Sequence, residues 1–349
     1  MHSRLRLVST TLFTAALLLA PALLRAEFFG GVSEEMLGHN WRLSAGIVAG
    51  IDGKVNETFR AYYTASGQDS KQSLAESYTL DDFGVGAPYT TFGLHYERQW
   101  NYGAFRWNTL FLSLSGNSTA KRDYYLGVSD HVSYEGRKYD HMKIPKGRDF
   151  SIDFTGILTD VTYGFTPVTF LYHDDYVKFT PSLDIGLVLV GGQYDLDAGH
   201  STGTTVYQNP PVDFVVGGAS SSFIGAGAPM IGLSGEVRAE LINGWTWISR
   251  VGLGYFAYDG SSSPFTSKGH RSKNLDISVL TLTAETGFSI PIDDTSSFSF
   301  GGRLQWISID AEITSKEHDT EAILAARERF DKTADFDLYT LLLYVGYSY

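Results

Sequence analysis

Ten stretches of the chain alternate apolar and polar residues with a period of two. That period marks a strand with two unlike faces. The last stretch, 337–349, shows it best. Tyr339, Leu341, Leu343, Val345, Tyr347 and Tyr349 share one face. Thr340, Leu342, Tyr344, Gly346 and Ser348 share the other, smaller and more polar toward the terminus. The first stretch, 41–51, sets Trp41, Leu43, Ala45, Ile47, Ala49 and Ile51 against Arg42, Ser44, Gly46, Val48 and Gly50. The others fall at 89–100, about 104–115, 149–172, 176–194, 230–242, 245–258, 275–290 and 297–313. Residues 149–172 begin with Phe150, Ile152 and Phe154 on the apolar face and change register near Asp160 and Pro167; a proline inside a strand points to a bulge. Long connections (53–88, 116–148, 195–229, 259–274 and 314–335) alternate without exception with short ones. The short ones include Asn101-Tyr102-Gly103, His173-Asp174-Asp175 and Asn243-Gly244, the last a type I′ hairpin signal.

Aromatic residues gather on the apolar faces beside the short turns: Trp41, Trp100, Trp107, Trp245, Trp247, Tyr347 and Tyr349. They form the pattern of an interfacial girdle. With the aromatic terminal strand and the alternating connections, the chain resembles the class of bacterial outer-membrane β-barrels. The resemblance implies an all-β fold: a transmembrane, antiparallel, up-and-down barrel with short periplasmic turns and long external loops. It implies outer-membrane lipid as surroundings and a terminal strand read by the barrel-assembly machinery. Ten strands are expected, with twelve as the alternative. Asp52-Gly53 is also a hairpin dipeptide, which would make strands of 54–64 and 71–82. Neither has a clean lipid face, since Glu57 alternates with Phe59 and Glu76 with Leu74 and Tyr78. Ten is therefore preferred, with the first strand rising beyond the membrane. The competing architecture is a soluble sandwich, which has no reason to alternate its loop lengths.

Targeting agrees with a membrane destination. Arg4 and Arg6 precede an apolar core from Val8 to Leu24, and Ala26 offers a small residue for cleavage. Residues 1–26 read as a secretory signal peptide, with Ala20-Pro21-Ala22 as a second possible cut. Residues 27–40 read as a periplasmic lead-in. There is no cysteine, so neither a disulfide framework nor a thiolate metal site is available. The formal net charge of −12 argues against nucleic acid as a partner.

The polar faces carry both signs of charge. Arg238, Arg250, Glu285 and Arg303 all fall about six residues from a short turn, so they are expected at one level, with alternating sign over the last three. Glu236 and Glu240 flank Arg238, and Glu97 and Arg106 should face each other across their own hairpin. Arg42, Asp153, Lys178 and Asp184 are inward as well. Ten strands enclose a lumen that side chains can fill. The expectation is a plug of ion pairs, and the alternative is a narrow ion path lined by the same charges.

Chemistry is sparse. Omptin proteases carry paired aspartates and an Asp/His pair at the outer rim. Asp130-His131, Asp140-His141 and His318-Asp319 lie in long segments here, but neighbours in a strand point to opposite faces. Ser234 and Ser278 lack an inward histidine nearby, and His95 reads as a satisfied wall residue beside Glu97 and Asn108. No catalytic residue, metal site or cofactor is assigned. From Asp319, the stretch TEAILAARERFDK reads as a helix, with Ile323, Ala326 and Phe330 in one stripe. Tyr124, Tyr125, Tyr134, Tyr139 and Tyr207 enrich the long segments, a composition suited to an extracellular ligand. The sequence thus favours a non-enzymatic barrel of the bacterial outer membrane, serving surface interaction or envelope structure. A small passive channel and a rim-sited hydrolase are the alternatives.

Overall fold

The computed structural model describes residues 38–65, 68–100, 103–166, 172–173, 177–204, 213–241, 244–262, 272–316 and 327–349. The expected signal peptide, Pro167, His318-Asp319, Tyr207 and the first half of the expected helix lie outside the described residues.

Ten strands form one closed antiparallel ring. In chain order they are β1 (His39–Ala65), β2 (Tyr89–Trp100), β3 (Gly103–Thr119), β4 (Asp149–Phe165) and β5 (Val177–Asp197). They continue as β6 (Ala219–Glu240), β7 (Thr246–Ser262), β8 (Ser272–Pro291), β9 (Ser297–Lys316) and β10 (Arg327–Ser348). Each strand pairs with the next in the chain, and β10 returns to β1 to close the ring. The soluble sandwich is thereby replaced by a transmembrane barrel, in which closure leaves no strand edge facing lipid. The seam holds to the terminus, where the His39 amide donates to the Tyr349 carbonyl at 2.8 Å and the Tyr349 amide donates back at 3.0 Å.

The exterior is the apolar face. Leu43, Phe92, Ile185, Ile231, Leu233, Leu304 and Leu343 are all more than half exposed. Exposed leucines in this number cost nothing in hydrocarbon and would be untenable in water. Beyond the apolar band, toward the long connections, the outward positions turn acidic. Asp52 stands directly opposite Asp337, Asp310 opposite Asp335, and Asp153 opposite Asp195. The Trp306 indole donates to Asp337 at 2.9 Å.

Three facing assignments require correction. Asp153, expected inward, stands outward opposite Asp195. Ile51, expected outward, packs against interior residues. A bulge between Val48 and Gly50 inserts Ala49 into β1 and reverses the parity of every later residue. Phe150, Ile152 and Phe154 also belong to the interior. No register change occurs near Asp160, because β4 runs unbroken against both β3 and β5. An even-numbered inward face at Thr162 and Asp160 therefore stays inward to Phe150.

The long-connection end is built of strand. β1 continues past Asp52-Gly53 without a turn, and Gln68–Thr79 folds back along it from Lys54. That strand lies off the ring, so the count stays at ten. A 3-10 turn, Leu80–Phe83, then steps across to β2. Gly84 ends it in the left-handed region at φ 67°, packed so closely that a Cβ would lie 2.3 Å from the Asn117 carbonyl oxygen. A separate four-stranded sheet comprises Tyr124–Tyr134, Arg137–Ile144, Asp213–Val216 and Ser201–Thr204. Tyr78, Phe83, Tyr124, Met142, Ile144 and Phe150 form a compact apolar core under these elements. The expected helix is not formed over Arg327–Lys332, which is ladder in β10: all six residues pair with β1, and Asp331 and Lys332 pair with β9 as well.

Two expectations follow. A Cβ on Gly46 would sit 1.9 Å from the Leu341 carbonyl oxygen across the β1–β10 seam. Gly46→Ala should cost about 1–3 kcal/mol in urea unfolding from detergent, as overpacking does. At the β8–β9 turn, the Ser296 side chain, then the amide and hydroxyl of Thr295, hold the Asp293 carboxyl down to about 2. A depressed carboxylate lends stability above the unfolded pKa and loses it as pH falls through the folded value. Its carbon resonance should therefore titrate near pH 2, well below a free aspartate, and a midpoint near 4 would contradict the turn geometry.

Candidate functional site in the lumen

The inward positions at the short-turn end carry the charges, and the register decides how they meet. Glu236, Arg250, Glu285 and Arg303 stand directly opposite one another on β6, β7, β8 and β9. Their signs alternate without a break. Glu236 thus takes the place expected of Arg238, which lies one inward step nearer the turn, opposite Ile248 and beside Lys178. Glu97 and Arg106 are cross-strand partners on β2 and β3. Glu240 ends β6 and is exposed at the rim.

Side chains then reach across the lumen. Arg250 donates to Glu97 at 2.8 Å and to Glu236 at 2.5 Å. β7 and β2 lie half-way round the ring from each other, so the first of these bonds spans the bore. Arg238 donates to Glu236 at 2.5 Å and to Gln99 of β2 at 2.9 Å. Arg42 of β1 pairs with Glu285 of β8, and its guanidinium lies 5.0 Å from the Tyr344 ring centroid on β10. Arg106 donates to Asp184 of β5 at 2.7 Å, and the Ser182 hydroxyl donates to the same oxygen at 2.8 Å. Eight strands of the ring contribute to this web, and β4 and β9 join it through Asn108.

His95 adds a second chain. The Asn108 amide nitrogen donates to Asp160 at 2.6 Å, and the Asn108 oxygen accepts from Arg303 at 3.1 Å. That oxygen is therefore an acceptor, so the short contact from His95 Nδ1 must be a donation. Its Nε2 lies 3.6 Å from Glu97 Oε2 and makes no hydrogen bond among the described residues. The His95 ring is thus held through Asn108.

Burial makes this arrangement costly to disturb. Arg42, Glu97 and Glu236 are each less than 5% exposed. A charge this deep is tolerable only when paired and hydrogen-bonded. Above the ionic layer the lumen becomes apolar. Val48, Leu110, Val188, Phe256, Val279 and Ile307 fill it with aliphatic and aromatic groups. A cavity of about 90 Å³ lies at the junction of the two layers. Nothing in the sequence pattern announced this apolar layer, since its residues look like those that face lipid.

The aromatic girdle lies on the outside at the short-turn end. Trp41 packs on Tyr96 at 4.4 Å between ring centroids and edge-on to Trp107 at 6.4 Å. Tyr347 and Tyr349 stack at 5.9 Å, and Trp245 lies edge-on to Phe288 at 6.2 Å. The Trp247 indole donates to Thr286 at 3.0 Å, and Trp100 lies under the Arg98 guanidinium. Two of the Asp/His pairs fall on the separate four-stranded sheet. His141 pairs with Gly127, while Asp130 and His131 fall in the irregular stretch of the strand opposite. Their side chains lie outside the description. Among the described residues no group of three or more His, Asp or Glu is placed to hold a metal ion.

No protein-family model matches the chain, and no curated protein matches it. Among solved structures it is similar to the outer-membrane protease OmpT from Escherichia coli, with a TM-score of 0.39 and 11% identity over 90% of this chain and 99% of that one. It is similar to the translocator domain of the autotransporter NalP from Neisseria meningitidis, with a TM-score of 0.34 and 10% identity over 96% of each chain. The β domain of the Bordetella autotransporter BrkA gives a TM-score of 0.27 and 13% identity over 86% of this chain and 99% of that one. The barrel assignment rests on this chain's own closed ladder, and these likenesses carry nothing about its chemistry.

Truncating Arg250 leaves Glu97 and Glu236 buried without their shared cation. Arg250→Ala should lower the unfolding free energy by about 3–5 kcal/mol. Adding Glu97→Ala should cost less than the sum of the single changes, since the two groups are coupled. Urea unfolding of the four proteins of this cycle in detergent measures both.

Proposed function

We propose that the chain is a non-enzymatic barrel of the bacterial outer membrane that does not conduct, and that it acts through the sheets at its long-connection end. The observation that carries this reading is the Arg250–Glu97 bond across the full width of the lumen, backed by Arg42–Glu285 and Arg238–Gln99. An ion crossing at this level would have to part several buried pairs at once. The layer beyond it is mainly aliphatic and aromatic and carries no described ion pair to replace an ion's water.

The barrel then serves as an anchor. Its outward apolar face suits lipid, and the girdle at the short-turn end suits the boundary between hydrocarbon and water. The short turns face the periplasm in this reading, which puts both described ends of the chain there. The four-stranded sheet and the Gln68–Thr79 hairpin are then displayed at the cell surface. They share an apolar core with Phe150 of β4 and Leu196 of β5, so they form a firm platform for binding or envelope contacts.

Planar-bilayer recording tests the proposal. The mature protein should give no conductance steps. Arg250→Ala with Glu97→Ala, which removes the bond across the bore, should raise the frequency of brief openings. Stable unitary steps from the unaltered protein would overturn the closed-lumen reading in favour of a small passive channel. Hydrolysis of a peptide or ester, abolished by His131→Ala or His141→Ala, would overturn the non-enzymatic one.

A further inference from the structure

The cavity at the junction of the ionic and apolar layers has two unlike walls. Arg106, Arg250 and Arg303 line one side of it, and Leu158, Val188, Met230, Phe256 and Val279 line the other. One terminal nitrogen of each arginine is committed: Arg106 to Asp184, Arg250 to Glu97 and Glu236, Arg303 to Asn108. Their Nε–H groups are not. All three Nε atoms are buried and have no hydrogen-bond partner among the described residues. The nearest carboxylate to Arg106 Nε is Glu97 Oε2, at 3.6 Å, beyond hydrogen-bonding reach. Arg106 and Arg250 are themselves more than nine-tenths buried.

Leaving such donors unmet is costly. The carboxylates on the same wall do not meet them, because they are engaged elsewhere: Asp160 by Asn108, Asp184 by Arg106 and Ser182, Glu285 by Arg42. What the wall lacks is an acceptor bonded to these Nε–H groups. Charge points the same way. Among the described residues the buried and half-buried inward groups number six cations (Arg42, Arg106, Lys178, Arg238, Arg250 and Arg303) against five carboxylates (Glu97, Asp160, Asp184, Glu236 and Glu285). Six minus five leaves one positive charge, with Glu240 outside the count at the exposed rim.

We infer that this cavity is a binding site for a small monocarboxylate with a short apolar tail. The carboxylate accepts from the guanidinium Nε–H groups, as charge-assisted bonds that guanidinium geometry favours. The tail lies against Val188, Phe256 and Val279. A volume of about 90 Å³ limits the guest to a few carbon atoms. Water alone would answer the donors but leave the apolar wall without a partner.

Equilibrium dialysis of the mature protein in detergent against radiolabelled propionate tests this, with long equilibration to allow entry into a closed lumen. One equivalent should bind, and n-propylammonium should not compete. Arg303→Gln should weaken binding at least tenfold. Val279→Phe, which fills the apolar side without touching a charge, should abolish it while heat-modifiable gel migration is retained. Absence of binding overturns the inference. So does displacement of propionate by chloride as effectively as by butyrate, since the apolar wall would then contribute nothing. So does binding that survives Val279→Phe, which would place the guest elsewhere. The assay is independent of conductance: a conducting barrel would end the closed-lumen reading and leave this measurement standing.

Discussion

A strand in hydrocarbon has no water to satisfy its amides and carbonyls, so every one of them must be bonded to another strand. That single demand explains the ring. It forces β10 back onto β1, down to the reciprocal bonds between His39 and Tyr349. Once the ring is closed, side chains have only two destinations, and the period-two pattern follows from it. The outward set dissolves in lipid. The inward set must fill a bore of ten strands, and it does so in two ways along the axis.

Near the short turns the filling is ionic. A guanidinium can serve two carboxylates at once, as Arg250 does with Glu97 and Glu236, so few residues close a wide gap. Farther along, Val48, Val188, Phe256 and Val279 do the same by packing. The order has a thermodynamic logic. Charges cost least to bury near an aqueous boundary, and apolar groups gain most where water is excluded. The two layers meet at a cavity where the Nε atoms of Arg106, Arg250 and Arg303 lack hydrogen-bond partners among the described residues.

The strand faces were legible in the sequence because lipid and lumen differ sharply at the ionic level. Arg42 alternates with Trp41 and Leu43, and Arg106 with Phe105 and Trp107. The contrast inverts beyond the lipid band, where the inward side is apolar and the outward Asp52, Ser151 and Asp153 are polar. Hydrophobicity therefore pointed the wrong way for Ile51, Phe150, Ile152 and Phe154. Parity could have, but Ala49 shifts it with a bulge that leaves no strong local mark. Glu236 and Arg238 illustrate a different limit. They share a face two residues apart, so only the register against β7 shows which one meets Arg250. Residues Arg327–Lys332 have good helix formers, yet pairing along β1, joined at Asp331 and Lys332 by β9, draws them into the ladder. What the sequence could not carry at all was contact across the bore, since Arg42 and Glu285 are 243 residues apart.

The acidic pairs on the outer wall give the barrel a second kind of definition. Two carboxylates directly opposite each other repel, and Asp52 with Asp337, Asp310 with Asp335 and Asp153 with Asp195 repeat that cost at three places round the rim. Water tolerates such pairs; hydrocarbon does not. Pressing the barrel deeper would drag all of them past the headgroups together, while the tryptophans at the other end resist movement the opposite way. The protein therefore carries its own draught mark: its depth in the bilayer is written on the wall, whatever the thickness of the membrane around it.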